Sequence, residues 1–285
     1  MASRMACTKA VIPVAGFGTR RLPLTKAIEK CMIPVGNRPI IDYIVQDCIA
    51  AGITDIIFVV GESFEQLKQY YEPNLPLEKH LAQKDKTAEL QAIQELGQGV
   101  RFHYVVQDSY QPYGTSVAVH VARDLIGADE QFAVICGDQF YYHQDGSSEL
   151  DHLLQRMAAA GTRSAMLGVE VPLEETPNYG IIAGSPDSSN ADIVRYDHIV
   201  EKPTTPAEAP STLNNGSFYV LSADVLPYIA ANVEREMPGE HQITDALNDY
   251  AKAGHALHVF TASGEYLDCG TVDGWLAANN RVIGA

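Results

Sequence analysis

Apolar residues fall first in short unbroken runs. Lys9-Ala-Val-Ile-Pro-Val14 reads as a buried strand, and Ala15-Gly-Phe-Gly-Thr-Arg20 as the turn that follows it. From Pro39 to Ala51 the period changes. Ile40, Ile41, Ile44, Val45, Cys48 and Ile49 recur at helical spacing, with Pro39 suited to the first turn and Gly52 to the stop. Ile56 to Val60 is a second strand, and Ser63 to Tyr71 a helix with Ser63 as its expected N-cap. Leu77 to Leu96 is polar and helical, a surface excursion. Phe102 to Val106, Ser116 to Leu125 and Phe132 to Cys136 read as strand, helix and strand. Strand and helix thus alternate four times, the pattern of a parallel doubly wound sheet.

Beyond the helix expected over Leu150 to Ala160 the pattern shortens. Ser164 to Val171, Gly180 to Ala183, Ile193 to Val200 and Ser217 to Leu221 are strand-like, with Ser185 to Asn190 a turn and Pro203 to Pro210 a proline-rich loop. Ala223 to Glu234 and Thr244 to Ala253 are expected helices, Leu257 to Thr261 a strand, and Val272 to Val282 a closing helix. The plan is a nucleotide-type α/β half joined to an acceptor-binding half, both sharing one sheet.

Composition narrows this picture. With 285 residues and 46% hydrophobic positions a large core is available, and disorder is disfavoured. The net charge of −16 argues against a general nucleic-acid binder, whose affinity comes from Lys and Arg on phosphates, but it leaves room for a local phosphate site. No apolar stretch is long enough for a transmembrane helix, and the start, Met1 to Lys9, does not read as a secretory signal. Five cysteines, none in a CxxC pair, argue against a disulfide framework or a zinc site and accord with a reducing cytoplasm. Cys48 and Cys136 read as buried structural thiols. The histidines form no HExxH, and His255 and His258 read as ordinary surface or strand histidines.

In an open α/β sheet, ligands sit beyond the carboxyl ends of the strands. Gly16 and Gly18 fall there, after the first strand, where glycine lets backbone N–H groups approach an anion. Arg21 breaks GxGxxG, and GxxxxGK[ST] is absent, which disfavours an NAD(P)-dependent oxidoreductase and P-loop chemistry. Thr19, Arg20, Arg21, Lys26 and Lys30 then crowd polar and cationic groups into twelve positions of an acidic chain.

Gly16-Phe-Gly-Thr-Arg-Arg-Leu-Pro-Leu-Thr-Lys-Ala-Ile-Glu-Lys-Cys-Met-Ile-Pro resembles the signature of the sugar-1-phosphate nucleotidyltransferases, most closely its bacterial UTP–glucose-1-phosphate uridylyltransferase branch. Ala50-Ala-Gly-Ile-Thr-Asp55, Glu201-Lys-Pro203, Gly239 to Ala246 and Asp268-Cys-Gly270 resemble later motifs, so the likeness runs from Lys9 to the last helix. The resemblance implies an α/β, Rossmann-like doubly wound mixed sheet with a smaller sugar-binding subdomain. It implies one domain over 1–285, with a nucleotide-binding half to about 145 and a sugar-phosphate half after it. The implied reaction joins UTP to glucose 1-phosphate, releasing pyrophosphate as the sugar phosphate attacks the α-phosphorus in line. Mg²⁺ is the implied cofactor, and a homodimer or homotetramer the implied assembly.

Residue by residue, the resemblance makes Arg20 and Lys30 triphosphate-binding cations, the first a planar fork and the second a compact charge. Ala15, Gly16, Gly18 and Thr19 become nucleotide contacts. Gln107 becomes the reader of the pyrimidine edge, since an amide both donates and accepts, with Gly114 close to the base. Asp138, after the fourth strand, is the implied Mg²⁺ ligand, and Asp268 the second. Tyr179, Gly180, Glu201 and Asn215 are the implied sugar contacts, and Lys202 the group that holds the sugar phosphate.

Three departures from the family pattern bear on specificity. Cys31 stands where relatives usually carry Glu, and a thiol cannot take a carboxylate's bonds to ribose or base. Gly137-Asp138 resembles the thymidylyltransferase form, and Gln107 to Val117 replaces a shorter glycine-rich segment. A dTTP-using or other sugar-1-phosphate nucleotidyltransferase, and a regulatory paralogue without catalysis, remain alternatives to the uridylyltransferase.

Overall fold

The computed structural model describes residues 7–108, 112–188, 190 and 193–284. In chain order the elements are β1 (Lys9–Pro13), β2 (Pro34–Val35), β3 (Arg38–Pro39), α1 (Ile40–Ala50), β4 (Asp55–Val60), α2 (Glu65–Tyr71), α3 (Leu75–Gln83), α4 (Thr87–Gln94), β5 (Arg101–Val106), α5 (Thr115–Ala122) and β6 (Gln131–Ile135). Then come β7 (Gln139–Tyr142), α6 (Glu149–Ala160), β8 (Ala165–Glu170), β9 (Gly180–Pro186), β10 (Val194–Glu201), β11 (Leu213–Ser222), α7 (Leu226–Glu234), α8 (Ile243–Lys252), β12 (His258–Thr261), β13 (Glu265–Asp268) and α9 (Val272–Ile283).

Nine strands make one sheet in the order β5-β4-β1-β6-β11-β8-β12-β10-β9. The four strands from the first half pair in parallel. β11 runs antiparallel to both β6 and β8, so the sheet is mixed where the second half joins. Parallel strands covered on both faces need apolar residues on both faces, and all six positions of β4 are buried. Alternation divides them. Ala10, Ile12, Ile56 and Phe58 face α1 and α6, packing on Ile41, Ile44, Leu150 and Leu153. Val11, Ile57 and Val59 face the opposite way, onto Val119, Ile229 and Leu247 of α5, α7 and α8.

The surface excursion is two helices rather than one. The chain breaks between α3 and α4, where Asp85 takes a left-handed φ of 56°, and Asn74 caps α3 by accepting from Leu77 N at 3.2 Å. Ser63 does not cap α2. Glu29 does so from a distant segment, accepting from Gln66 N at 2.7 Å and Leu67 N at 3.1 Å. The helix's free N–H groups are thereby met by a carboxylate on the side its dipole favours. Two small pairings have no counterpart in the apolar pattern: β2 with β3, and the antiparallel ribbon of β7 with β13. Asn214-Asn-Gly216, just ahead of the strand expected over Ser217 to Leu221, lies inside β11, whose register shifts between Asn215 and Tyr219. Among the described residues no helix is long and apolar enough to cross a membrane.

Asp47 sits where α1 meets the start of α6 and accepts from Leu150 N at 3.3 Å. Desolvation, reinforced by the charge of Glu149, pushes its carboxyl up to about 6. An acid that holds its proton more tightly when folded contributes stability that declines as pH rises from its unfolded value, about 3.9, to its folded one. Asp47→Asn removes that penalty while keeping an acceptor for Leu150 N. Thermal melting should show the variant a few degrees more stable at about pH 7.5 and no more stable near pH 4.

Candidate functional site

The carboxyl ends of β1 and β6 lie side by side, and the loops after them build the centre of the site. β1 ends in Val14, Ala15 and the glycine turn, of which Gly16 has open space around it. Gly18 adopts φ 64°, and a Cβ there would lie 2.9 Å from Thr25 Cγ2 and 3.3 Å from Lys30 Cβ. Thr25 Oγ1 donates to Gly18 O at 2.8 Å, so the glycine lets the following short 3₁₀ turns fold back tightly. Three such turns, Thr19–Arg21, Leu24–Lys26 and Lys30–Met32, return Lys30 to the sheet. The turn after β6 holds Gly137, where a Cβ would collide with Val14 and come within 3.1 Å of Pro13 O. That close approach sets Asp138 against the glycine-turn segment.

Lys30 Nζ donates to Asp138 Oδ2 in an ion pair whose two side chains are each 21% exposed. The ribbon supplies a second carboxylate. Asp268, at the end of β13, pairs in register with Gln139, and Cys269 N donates to Asp138 O at 3.0 Å. Gly270 is the centre of this cluster. A Cβ on it would lie 2.9 Å from Asp268 Oδ1, 3.1 Å from Arg20 Nη2 and 3.3 Å from Asp138 Oδ2. Two carboxylates and a guanidinium therefore close on a bare Cα where a methyl would not fit, and Gly270 N donates to Asp268 Oδ1 at 2.7 Å. Carboxylate oxygens are the donors a hard divalent cation takes.

Arg21 parts company with Arg20. It is 4% exposed, donates through Nη2 to Thr271 O at 3.3 Å and lies over the Trp275 ring at 5.8 Å. Desolvation lowers its pKa, while Cys269, Asp138 and Asp268 oppose the shift. Lys26 is exposed.

A second group gathers where β9 and β10 pair, Gly180 opposite Glu201. A Cβ on Gly180 would lie 2.8 Å from Glu201 Oε1. Lys202 N donates to Tyr179 O at 3.0 Å, and Lys202 holds a left-handed φ of 45°. The Glu201 carboxyl is raised, first by desolvation, with Lys202 acting against the shift and Asp245 with it. The Tyr179 hydroxyl is raised by desolvation and by the charges of Glu175 and Asp268, the last of which belongs to the first group.

Gln107 follows β5, and its N–H is spent on Val60 O at 2.8 Å. Gly114, at φ 133°, opens α5 against the backbone of His241, whose O would lie 2.4 Å from an added Cβ. Ser116 N donates to His241 O, and Ser116 Oγ to Gln242 O. The Gly239 to Ala246 motif thus buttresses the start of α5. Positions 109–111, within the Gln107 to Val117 segment, lie outside the described residues.

One sequence-based expectation changes. The Asn215 amide is taken up inside β11, bonding the Tyr219 hydroxyl at 2.8 Å and accepting from Ser217 N at 3.0 Å, so it is not a free group facing the site. Cys31, where relatives usually carry Glu, is a packed thiol. It is 4% exposed within the core beside Ile33 and Val35, and burial pushes its thiol up to about 12. Cys48 is fully buried, and burial likewise pushes Cys136 up to about 12. Such thiols are inert packing groups.

Gly114→Ala should cost about 1–3 kcal/mol of stability, because the added methyl meets the His241 backbone and the φ is one that side chains avoid. A urea midpoint unchanged from wild type would show that α5 does not depend on this approach.

The family model for nucleotidyl transferases matches residues 9–284. A UTP–glucose-1-phosphate uridylyltransferase from Pseudomonas aeruginosa is 37% identical over 273 residues, covering 95% of this chain and 94% of the relative. A UTP-bound UGPase from Acinetobacter baumannii superposes with TM-score 0.87 at 31% identity, covering 97% of this chain and 93% of that one. A UDP-glucose pyrophosphorylase complexed with UDP-glucose superposes with TM-score 0.83 at 31% identity, covering 98% and 99%. The chain belongs to the nucleotidyl transferase family.

Proposed function

We propose that this chain is a UTP–glucose-1-phosphate uridylyltransferase, converting UTP and glucose 1-phosphate to UDP-glucose and pyrophosphate. The relatives' named activities support the reaction. The observation that carries it to these residues is the convergence of Asp138, Asp268 and Arg20 on the bare Cα of Gly270, with Lys30 paired to Asp138.

Both substrates are anions, so their repulsion must be cancelled before an oxygen of one can reach a phosphorus of the other. In our reading Arg20 and Lys30 bind the triphosphate, and the backbone from Ala15 to Thr19 lies along it. Lys202 holds the sugar phosphate, and Glu201 accepts from sugar hydroxyls beside Tyr179 and Gly180. A sugar-phosphate oxygen attacks the α-phosphorus as the bond to the β-phosphate breaks, and the electron pair leaves with pyrophosphate. No side chain is required as nucleophile, so catalysis rests on positioning and on cations placed where charge develops. Members of the family generally use a divalent metal. Asp138 and Asp268 would hold Mg²⁺, which supplies charge neutralisation on the phosphates. Gln107 is the proposed reader of the base.

Five unpaired cysteines accord with a reducing cytoplasm. The exposed apolar residues Val272, Leu276 and Ile283 on α9 support association into a homo-oligomer.

The direct test supplies Mg²⁺, glucose 1-phosphate and each nucleoside triphosphate in turn and measures pyrophosphate. UTP should be preferred. A preference for dTTP would move the chain to the thymidylyl reaction, and binding of UDP-glucose without any turnover would mark a regulatory relative. Asp138→Asn should lower kcat by at least about a hundredfold with the fold intact. Lys202→Ala should raise KM for glucose 1-phosphate while leaving KM for UTP within about twofold. A change confined to UTP would show that Lys202 serves the other substrate.

A further inference from the structure

We propose that His143, Glu149 and His152 form a second metal site, suited to Zn²⁺, at the opposite end of the β7–β13 ribbon from Asp138 and Asp268.

Glu149 and His152 are three apart in the first turn of α6, so they leave the helix on one side. His143 arrives from just beyond β7. One ligand atom from each residue lies within 4.8 Å of the other two. His143 Nε2 is 2.8 Å from Glu149 Oε2. Ser263 Oγ bridges the remaining gap, 2.9 Å from Glu149 Oε2 and 3.1 Å from His152 Nδ1. Donors bonded to an ion at about 2 Å stand roughly 3.3 Å apart, so the 2.8 Å His143–Glu149 contact would open and His152 would close on them.

The donors select the ion. Two imidazoles and one carboxylate suit Zn²⁺, whereas Mg²⁺ prefers oxygen alone. Glu149 is 1% exposed, and among the described residues no Lys or Arg pairs with it. The supporting shell is present: Ser263 N donates to Glu149 Oε1 at 3.0 Å and Gly264 N to Oε2 at 2.7 Å, orienting the carboxylate as ligand-supporting partners do. A Cβ on Gly264 would lie 2.5 Å from His143 Nε2, so glycine is what permits the histidine its place. Ser263 is exposed and leaves an entry path.

Binding replaces the His143–Glu149 hydrogen bond with bonds from each residue to the ion. His143 must then present Nε2 without its proton, which is kept on Nδ1 or released to water. The ion would tie the start of α6 to both strands of the ribbon, since Tyr142 pairs with Glu265 at this end and Gln139 with Asp268 at the other. It would therefore brace the strands that carry the two catalytic-site carboxylates.

The test uses chelator-stripped full-length protein and added Zn²⁺, with His152→Ala chosen because His152 is only partly buried. Melting temperature should rise by at least about 3 °C in the wild type and in Asp138→Asn, and should not rise in His152→Ala. Co²⁺ should give the visible absorption of an imidazole-bound ion with the same pattern across the three proteins. No rise in the wild type, an equal rise in His152→Ala, or a rise lost in Asp138→Asn would each overturn the proposal.

Discussion

The ion pair between Lys30 and Asp138 joins residues 108 positions apart, and it is the contact on which the site depends. It ties the loops after β1 to the turn after β6. The backbone of that turn in turn receives Cys269 N, which brings the ribbon and Asp268 into place. Asp138 and Asp268 lie within about 6 Å of one another, a separation at which two bare carboxylates repel by roughly 3 kcal/mol at an effective dielectric of 20. Lys30 and Arg20 offset this repulsion. A divalent ion and a triphosphate, in the proposed reaction, would meet a centre already arranged in alternating charge.

This arrangement accounts for an acidic protein acting on anions. A net charge of −16 spread over 285 residues governs distant encounters, and salt screens it beyond about 10 Å. In the proposed reaction the chemistry is decided closer in, where Arg20 and Lys30 stand beside Asp138, and Lys202 beside Tyr179 and Glu201. The glycines serve the same end by removing side chains where groups must meet. Gly137 lets the turn after β6 run against the end of β1, Gly180 admits Glu201, and Gly270 admits Asp268, Arg20 and Asp138.

Much of the fold is legible in the chain because buried parallel strands must be apolar on both faces. β1, β4 and β6 show as unbroken runs, and α1 declares itself by period. The ribbon of β7 and β13 does not, since Gln139-Phe-Tyr-Tyr142 and Glu265-Tyr-Leu-Asp268 are four residues each and mixed in polarity. The site divides the same way. Arg20, Lys30 and Asp138 stand in motifs whose positions can be read directly. The separate fates of Arg20 and Arg21 cannot be, because adjacent side chains of a 3₁₀ turn leave in different directions and only packing shows which meets Thr271 and Trp275. Glu29 capping α2 and Cys31 entering the core are likewise tertiary events, whereas Asn215 closes on Tyr219 across the register shift of one strand. His143 meets Glu149 six positions on, and the turn between β12 and β13 adds the Ser263 and Gly264 bonds that hold the carboxylate.

In the proposed reaction the groups gathered at Gly270 hold metal and phosphate. Gly270→Ala probes this, because the added methyl displaces Asp268, Arg20 and Asp138 while the backbone there needs no left-handed φ. Measured with UTP, glucose 1-phosphate and varied Mg²⁺, the variant should lose at least about tenfold in kcat or in apparent Mg²⁺ affinity, with a melting temperature close to wild type. Wild-type turnover and wild-type Mg²⁺ dependence in a folded Gly270→Ala protein would contradict it.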